Sequence, residues 1–193
     1  MEKSPKDRIF ETALKLFSER DLSDVSIREI AKEANVNIAS INYYFSSKEE
    51  LYISIIKSIK AFAEARFSEY VSDYENAKKS FTCKDKQEQR EFYAFWLKKI
   101  IALVINMVFG RLKENNFVHK IVVKEHMSGG KGFDILYPDF LEKIFSLLDE
   151  MIFELSADKN MKKVKIRTHT ILGQIIAFVV TYSSAKLRLN LDE

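Results

Sequence analysis

The sequence predicts an all-α protein, a three-helix head containing a helix-turn-helix joined by a long helix to a larger helical body. Three observations carry this. Glycine and proline are scarce, five and two among 193 residues, which suits long uninterrupted helices better than a sheet with many turns. Apolar residues recur at three- and four-residue steps through most of the chain. Two short helical patterns, each opened by a capping residue, flank a turn at Asn35. Hydrophobic content of 47% and charge of 31% describe a globular chain with ample core.

The first helix is opened by Ser4 as cap and Pro5 at the first helical position. Ile9, Phe10, Ala13, Leu14 and Phe17 form its buried stripe, and it should end near Arg20. A capping box follows, with Ser26 accepting from the backbone of Glu29, and Val25 and Ile30 stand at the positions of a hydrophobic staple. Ile27, Ile30, Ala31 and Ala34 make about two turns of amphipathic helix. Asn35 then stands where a helix ends on a left-handed residue, a conformation Asn tolerates.

A second short helix should run from near Asn37 to about Phe45. Its periodicity places Asn37, Ser40 and Tyr44 on one outward face with Tyr43 on the flank, and Ile38, Ile41 and Phe45 on the packed side. Two short helices joined by a tight turn make a helix-turn-helix, whose second helix fits a major groove. From Ala34 to Lys48 there is no acidic residue to repel a phosphate backbone. Ser46-Ser47-Lys48-Glu49-Glu50 starts a third helix of this motif region, offering free N–H groups and Lys48 to a phosphate.

Residues from about 8 to 52 resemble the DNA-binding head of TetR-family transcriptional regulators. The resemblance rests on Ile9 to Phe17, on Ser26-Ile27-Arg28-Glu29-Ile30-Ala31, on Ala34-Asn35-Val36-Asn37, on Ile41-Asn42-Tyr43-Tyr44-Phe45 and on Ser47-Lys48-Glu49-Glu50-Leu51, in order and at the family's spacing. The chain departs from the pattern at Asn35, where glycine is frequent, and at Ile38, where Lys or Arg is frequent. The resemblance implies a homodimeric, ligand-responsive regulator, a repressor, that reads a palindromic operator on double-stranded DNA. Ser40 and Asn37 would meet base edges or nearby phosphates, and Tyr43, Tyr44 and Lys48 phosphates. Ser26 and Arg28 would approach the backbone, and Asn42 lies between the two faces. It divides the chain into a helix-turn-helix DNA-binding domain over residues 1–48 and a helical ligand-binding and dimerisation domain over residues 49–193.

Beyond the head, Leu51, Ile55, Ile59, Phe62, Ala63, Phe67 and Tyr70 mark one helix from Ser47 to about Asp73, long enough to belong to both head and body. Glu75 to Glu91 is polar and reads as a solvated loop or frayed helix ends, with Cys83 an exposed thiol. Phe92 to Lys113 is apolar on two faces, a helix buried on both sides. With the resemblance, Phe67, Phe92, Trp96 and Met107 become candidates to line a pocket for an unknown small, apolar or aromatic effector. A short helix over Asn116 to Met127 ends at Ser128-Gly129-Gly130, and Pro138 to Leu155 is regularly amphipathic.

A polar break, Ala157 to Lys163, precedes a last helix to about Leu189 that is apolar nearly all round. Such a helix needs cover on every side, which a second copy supplies in a four-helix bundle. Phe145, Leu148, Ile152, Leu172, Ile176 and Val179 are the expected dimer contacts.

Other functions find little support. The net charge is +3, and residues 1–48 hold eight groups of each sign, so attraction to DNA rests on the acid-free segment alone. One cysteine excludes an internal disulfide framework and fits a reducing compartment. Neither a signal peptide nor a membrane-spanning run is visible, so a cytoplasmic protein is expected. His119, Glu125 and His126 lack a third ligand at convincing spacing for a metal, and His169 stands alone. No triad, paired catalytic carboxylates or nucleotide signature points to an enzyme or a cofactor. The residues leave two rivals open, a helical interaction module whose head binds a protein partner and, more weakly, a ligand-binding protein that has lost its DNA function.

Overall fold

The computed structural model describes residues 3–109 and 117–190, which form ten α-helices and one π-helical turn, with no strand among them. The helices are α1 Pro5–Glu19, α2 Ile27–Glu33, α3 Ile38–Tyr44, α4 Lys48–Ser80, α5 Lys86–Phe109, α6 Phe117–Ser128, α7 Lys131–Leu136, α8 Glu142–Leu155, α9 Met161–Val180 and α10 Tyr182–Leu189. They divide into two compact units, Met1–Glu64 with Asn115–Asp139, and Ala65–Glu114 with Phe140–Glu193. Helix α4 supplies residues to both.

The first unit gathers α1 to α3, the first half of α4, α6 and α7 around one core. Ile9, Phe17, Ile30, Ile41, Leu51, Ile55, Ile56 and Ile121 are fully buried there. Phe17 meets Tyr52 edge-on at 5.2 Å. Helix α6 packs along α1, and Lys124 of α6 reaches the C-terminal end of α1, with Nζ 2.7 Å from the Arg20 carbonyl and 2.7 Å from Asp21 Oδ1. A cation at those last carbonyls satisfies acceptors that the helix itself cannot.

The second unit packs α5 on α8 and α8 on α9. Its centre is aromatic: Trp96 stands between Tyr70 and Tyr74, at 5.6 Å and 5.4 Å, and Phe67 stacks on Tyr70 at 6.0 Å. The polar tips are satisfied, since Tyr70 donates to the Trp96 carbonyl at 2.8 Å and Tyr74 to Glu150 at 2.5 Å. Lys78 completes that group 2.6 Å from Glu150.

Several element boundaries differ from expectation, each for a local reason. Helix α4 continues to Ser80, past Asp73, with Lys78 and Lys79 favourably placed in its last turn. The polar stretch is therefore mostly helical, broken only over 81–85, where the Asp85 carboxylate caps α5 by accepting from the backbone N–H of Gln87 and Glu88. Helix α5 is buried along one face only, through Trp96, Ile100 and Val104, while Phe95 and Ile105 are exposed. The expected single helix from Pro138 begins as a π-helical turn over Tyr137–Leu141, where proline has no N–H for the α-helical ladder. The last helix is interrupted at Thr181, whose hydroxyl bonds back to the Ala177 carbonyl at 2.7 Å at the end of a β-branched run.

Candidate nucleic-acid interface

The head is assembled by caps that the local sequence dictates. Ser26 Oγ accepts from the Glu29 N–H at 3.2 Å, Asn37 Oδ1 from the Ala39 N–H at 3.0 Å, and Ser47 Oγ from the Glu50 N–H at 3.0 Å. Helix α2 closes in a Schellman motif: the Val36 N–H returns to the Ala31 carbonyl at 3.0 Å and the Asn35 N–H to Lys32 at 3.2 Å, with Asn35 left-handed at φ 51°. Arg8 secures this turn from α1, its Nε 3.1 Å from the Ala34 carbonyl and Nη2 3.4 Å from that of Asn35. Arg20 and Glu29 pair at 2.5 Å. The guanidinium holds the Glu29 carboxyl below the usual carboxylate range, and Glu29 in turn raises Arg20.

With its neighbours fixed, α3 presents a defined side. Ile41 is fully buried and Phe45 nearly so, as the apolar pattern predicts. Ile38 is 40% exposed, which corrects its assignment to the packed side. The reason is geometric: at about 100° per residue, Ile38 lies about 60° from the Ile41 direction, and a seven-residue helix buries only a narrow strip. The outward side is Ile38, Ala39, Asn42 and Tyr43, whereas Ser40 is half-buried on the far flank. Tyr43 is the most exposed of them at 82%, and its ring meets Tyr44 edge-on at 5.0 Å. Asn37 is exposed, with one side-chain oxygen committed to its cap. Ser26 and Arg28 are exposed at the start of α2. Lys48 is half-buried and its Nζ donates to the Val25 carbonyl at 2.9 Å, tying the start of α4 to the entry of α2. An ammonium has three donors, so the tie leaves it capacity for a phosphate.

The expected effector residues occupy the second unit's interior. Phe67 and Trp96 are buried within the aromatic cluster and Phe92 lies 6.4 Å from Trp96, so these rings fill one another's space. Met107 is half-buried near the end of α5. Of the expected dimer residues, Leu148 and Ile152 are buried in their own unit, at 0% and 6% exposure, which corrects their assignment to an outer surface. Phe145, Leu172 and Ile176 are half-buried, and the side chain of Val179 lies outside the described residues. On α9 and α10 the exposed apolar groups include Met161, Ile166, Phe178, Val180, Leu187 and Leu189.

The group around Glu125 was not anticipated from the sequence. This residue is 6% exposed, accepts from the Tyr52 hydroxyl and from the Phe133 N–H at 3.1 Å, and is enclosed by Gly130 and Gly132. The closely spaced glycines were the available signal, since a Cβ on Gly132 would come within 2.6 Å of the Glu125 Cδ. Glu125 is thus committed to hydrogen bonds inside the unit. Burial lowers the pKa of His119, and Lys120 lowers it further.

The comparisons with known proteins agree with this geometry. Residues 9–55 match the family model for bacterial regulatory proteins of the tetR family. Over 186 residues, 95% of this chain and 79% of the relative, the chain is 27% identical to the HTH-type transcriptional dual regulator CecR of Shigella flexneri. Over 52 residues, 27% of this chain and 28% of the relative, it is 38% identical to the negative transcriptional regulator of the biofilm operon, IcaR, of Staphylococcus aureus. In fold it is similar to the crystal structure of HlyIIR, a hemolysin II transcriptional regulator, with a TM-score of 0.56 and 22% identity over 92% of this chain and 90% of that one. No helix among the described residues is long and apolar enough to cross a membrane. A capped helix-turn-helix with an open, acid-free second helix, matched over residues 9–55 by the family model and along the chain by relatives, supports a DNA-binding transcriptional regulator whose head is similar to those of the TetR family.

Proposed function

We propose that this regulator acts in the cytoplasm as a homodimeric, ligand-responsive repressor. Each head places α3 in a major groove of a palindromic operator, with half-sites about 34–36 Å apart or a multiple of that. The observation that carries this is the uncharged outward side of α3, held by caps and a buried Ile41 while its own residues stay open to solvent. Asn42, Tyr43 and Asn37 contact bases or nearby phosphates, Tyr44, Ser40 and Lys48 support them from the flanks, and Ser26 and Arg28 approach the backbone. Residues 1–48 carry the DNA-binding role and residues 49–193 those of ligand binding and dimerisation.

Dimer formation is supported by apolar groups that the protomer leaves exposed on α9 and α10, Ile166 at 58%, Phe178 at 50% and Val180 at 59%. Phe145, Leu172 and Ile176, which are half-buried in the protomer, are further candidates for that contact. A small apolar or aromatic effector enters the aromatic cluster of the second unit at Phe92, Trp96, Phe67 and Met107 by parting rings that touch in the present state. It favours a dimer whose heads are wrongly spaced for the operator, and α4 transmits the change.

The test is fluorescence anisotropy of the purified protein with the intergenic DNA upstream of its gene, competed by unrelated duplex. Saturable binding that survives competition and scales as one dimer per site is expected. The slope of log K against log salt should correspond to fewer than about six phosphates per dimer, since charged groups are few on the reading side. Failure to prefer any duplex, with a protein captured through the α3 side instead, would replace this reading with that of an interaction module.

A further inference from the structure

The side chains that α3 turns outward restrict what it can read, and this inference rests on the DNA-binding reading above. Ile38, Ala39, Asn42 and Tyr43 are all exposed. Ile38 and Asn42 are four apart, Ala39 and Asn42 three, and Ala39 and Tyr43 four, so they form one continuous patch on the helix. None carries a charge. Bidentate recognition of guanine O6 and N7 needs an Arg or Lys, and acceptance from cytosine N4 favours Asp or Glu. The patch has neither, and the nearest following cation, Lys48, has its Nζ on the Val25 carbonyl.

What the patch does have is an amide, which pairs with adenine N6 and N7, and two aliphatic groups, which pack on the thymine 5-methyl. Ile38 stands out here. It keeps 40% of its surface exposed and lies one turn from Asn42 on the same side of the helix.

We infer that α3 specifies A·T pairs in each half-site, with Asn42 reading an adenine and Ile38 and Ala39 covering the 5-methyl groups of one or two neighbouring thymines. Specificity then resides in methyl contacts to a degree that can be measured by removing the methyl and nothing else. Exchanging thymine for uracil does so, because the hydrogen-bonding edges of the pair are unchanged.

The experiment selects binding duplexes from a random-sequence pool with the full-length protein. It then measures affinity for the selected duplex with uracil placed singly at each thymine. One or two positions per half-site should lose about fourfold in affinity per methyl, the factor for removing one buried methyl-sized group. Ile38→Ala should bind the thymine duplex less tightly and lose most of its sensitivity to uracil at the same positions, with its helical content unchanged. Asn42→Ala should relax the preference at an adjacent adenine and keep the uracil effect. A selected site with G·C pairs under α3, or wild-type affinity indifferent to uracil everywhere, overturns the inference and leaves the regulator intact. A pool from which no sequence is enriched overturns both.

Discussion

Replacing Glu125 with Gln tests whether the first unit is braced as described. The Glu125 carboxyl accepts from the Tyr52 hydroxyl and from the Phe133 N–H, both residues of the pair Tyr52 and Glu125 being 6% exposed. Glutamine is almost the same size, and the glycines that enclose it leave no room to turn aside, a Cβ on Gly130 already falling 2.9 Å from Oε2. One of its two heads is now a donor. If the amide oxygen serves Phe133, the NH2 faces Tyr52, and the phenolic proton loses its acceptor. One buried unsatisfied polar group costs about 1–3 kcal/mol, so the urea midpoint should fall by that amount divided by an unchanged m value. Tyr52→Phe should cost a similar amount by leaving a carboxyl oxygen without its donor. Combining the two leaves one orphan and not two, so the costs should fall short of additivity by about 1 kcal/mol. The assay is urea unfolding followed by circular dichroism on the wild type, both single variants and the double. Losses below about 0.5 kcal/mol in both singles, or strict additivity, would refute the brace.

Ile41→Ala, at a fully buried position in α3, should cost about 2–5 kcal/mol and abolish DNA binding with it, read by thermal unfolding and anisotropy. Asn37→Ala removes the cap of α3 and should cost about 0.5–2 kcal/mol, whereas Asn37→Gly should recover most of the stability. His119 is half-buried with its Nδ1 enclosed and unpartnered among the described residues, and its pKa lies below the ordinary 6.5. The unfolded chain therefore binds a proton near 6.5 that the folded one refuses, so stability is full above that pH and declines as pH falls through it. Melting temperature against pH should show that decline, and His119→Leu should flatten it. Ile166→Glu with Phe178→Lys, both at exposed positions, should leave the fold of the protomer intact and convert a dimer to a monomer in light scattering.

The parts of the head that were legible in the sequence are those fixed within four or five residues. Ser4, Ser26, Asn37 and Ser47 cap their helices because each side chain needs only a neighbour's N–H, and Asn35 takes its left-handed turn because the Schellman bonds close locally. What was not legible depends on partners far along the chain. The bond from Tyr52 to Glu125 joins residues 73 apart, and the pairing of α6 with α1 through Lys124 spans more still. Periodicity also overstates burial on short helices, as at Ile38, and cannot say which apolar helix face meets the protomer's own core, as at Leu148 and Ile152. Of the described aromatic side chains of α5 only Trp96 is buried while Phe95 is exposed, and nothing local tells a ring that lines a cavity from one that fills it.

Three long cations of the first unit end on backbone carbonyls: Arg8 on Ala34, Lys48 on Val25 and Lys124 on Arg20. Two of those carbonyls belong to helix ends, where acceptors lack intrahelical partners, and the third belongs to the residue before the cap of α2. Each bond therefore fixes where one helix stops or starts relative to the next. These cations tie the helices of the unit to one another, and the outward side of α3 carries no charge of its own. Charge strengthens attachment to every duplex alike, whereas shape and methyl contacts separate one duplex from another. A head built this way gives up non-specific affinity and gains discrimination. The ratio of specific to non-specific binding should consequently change little with salt, because both terms release few counterions.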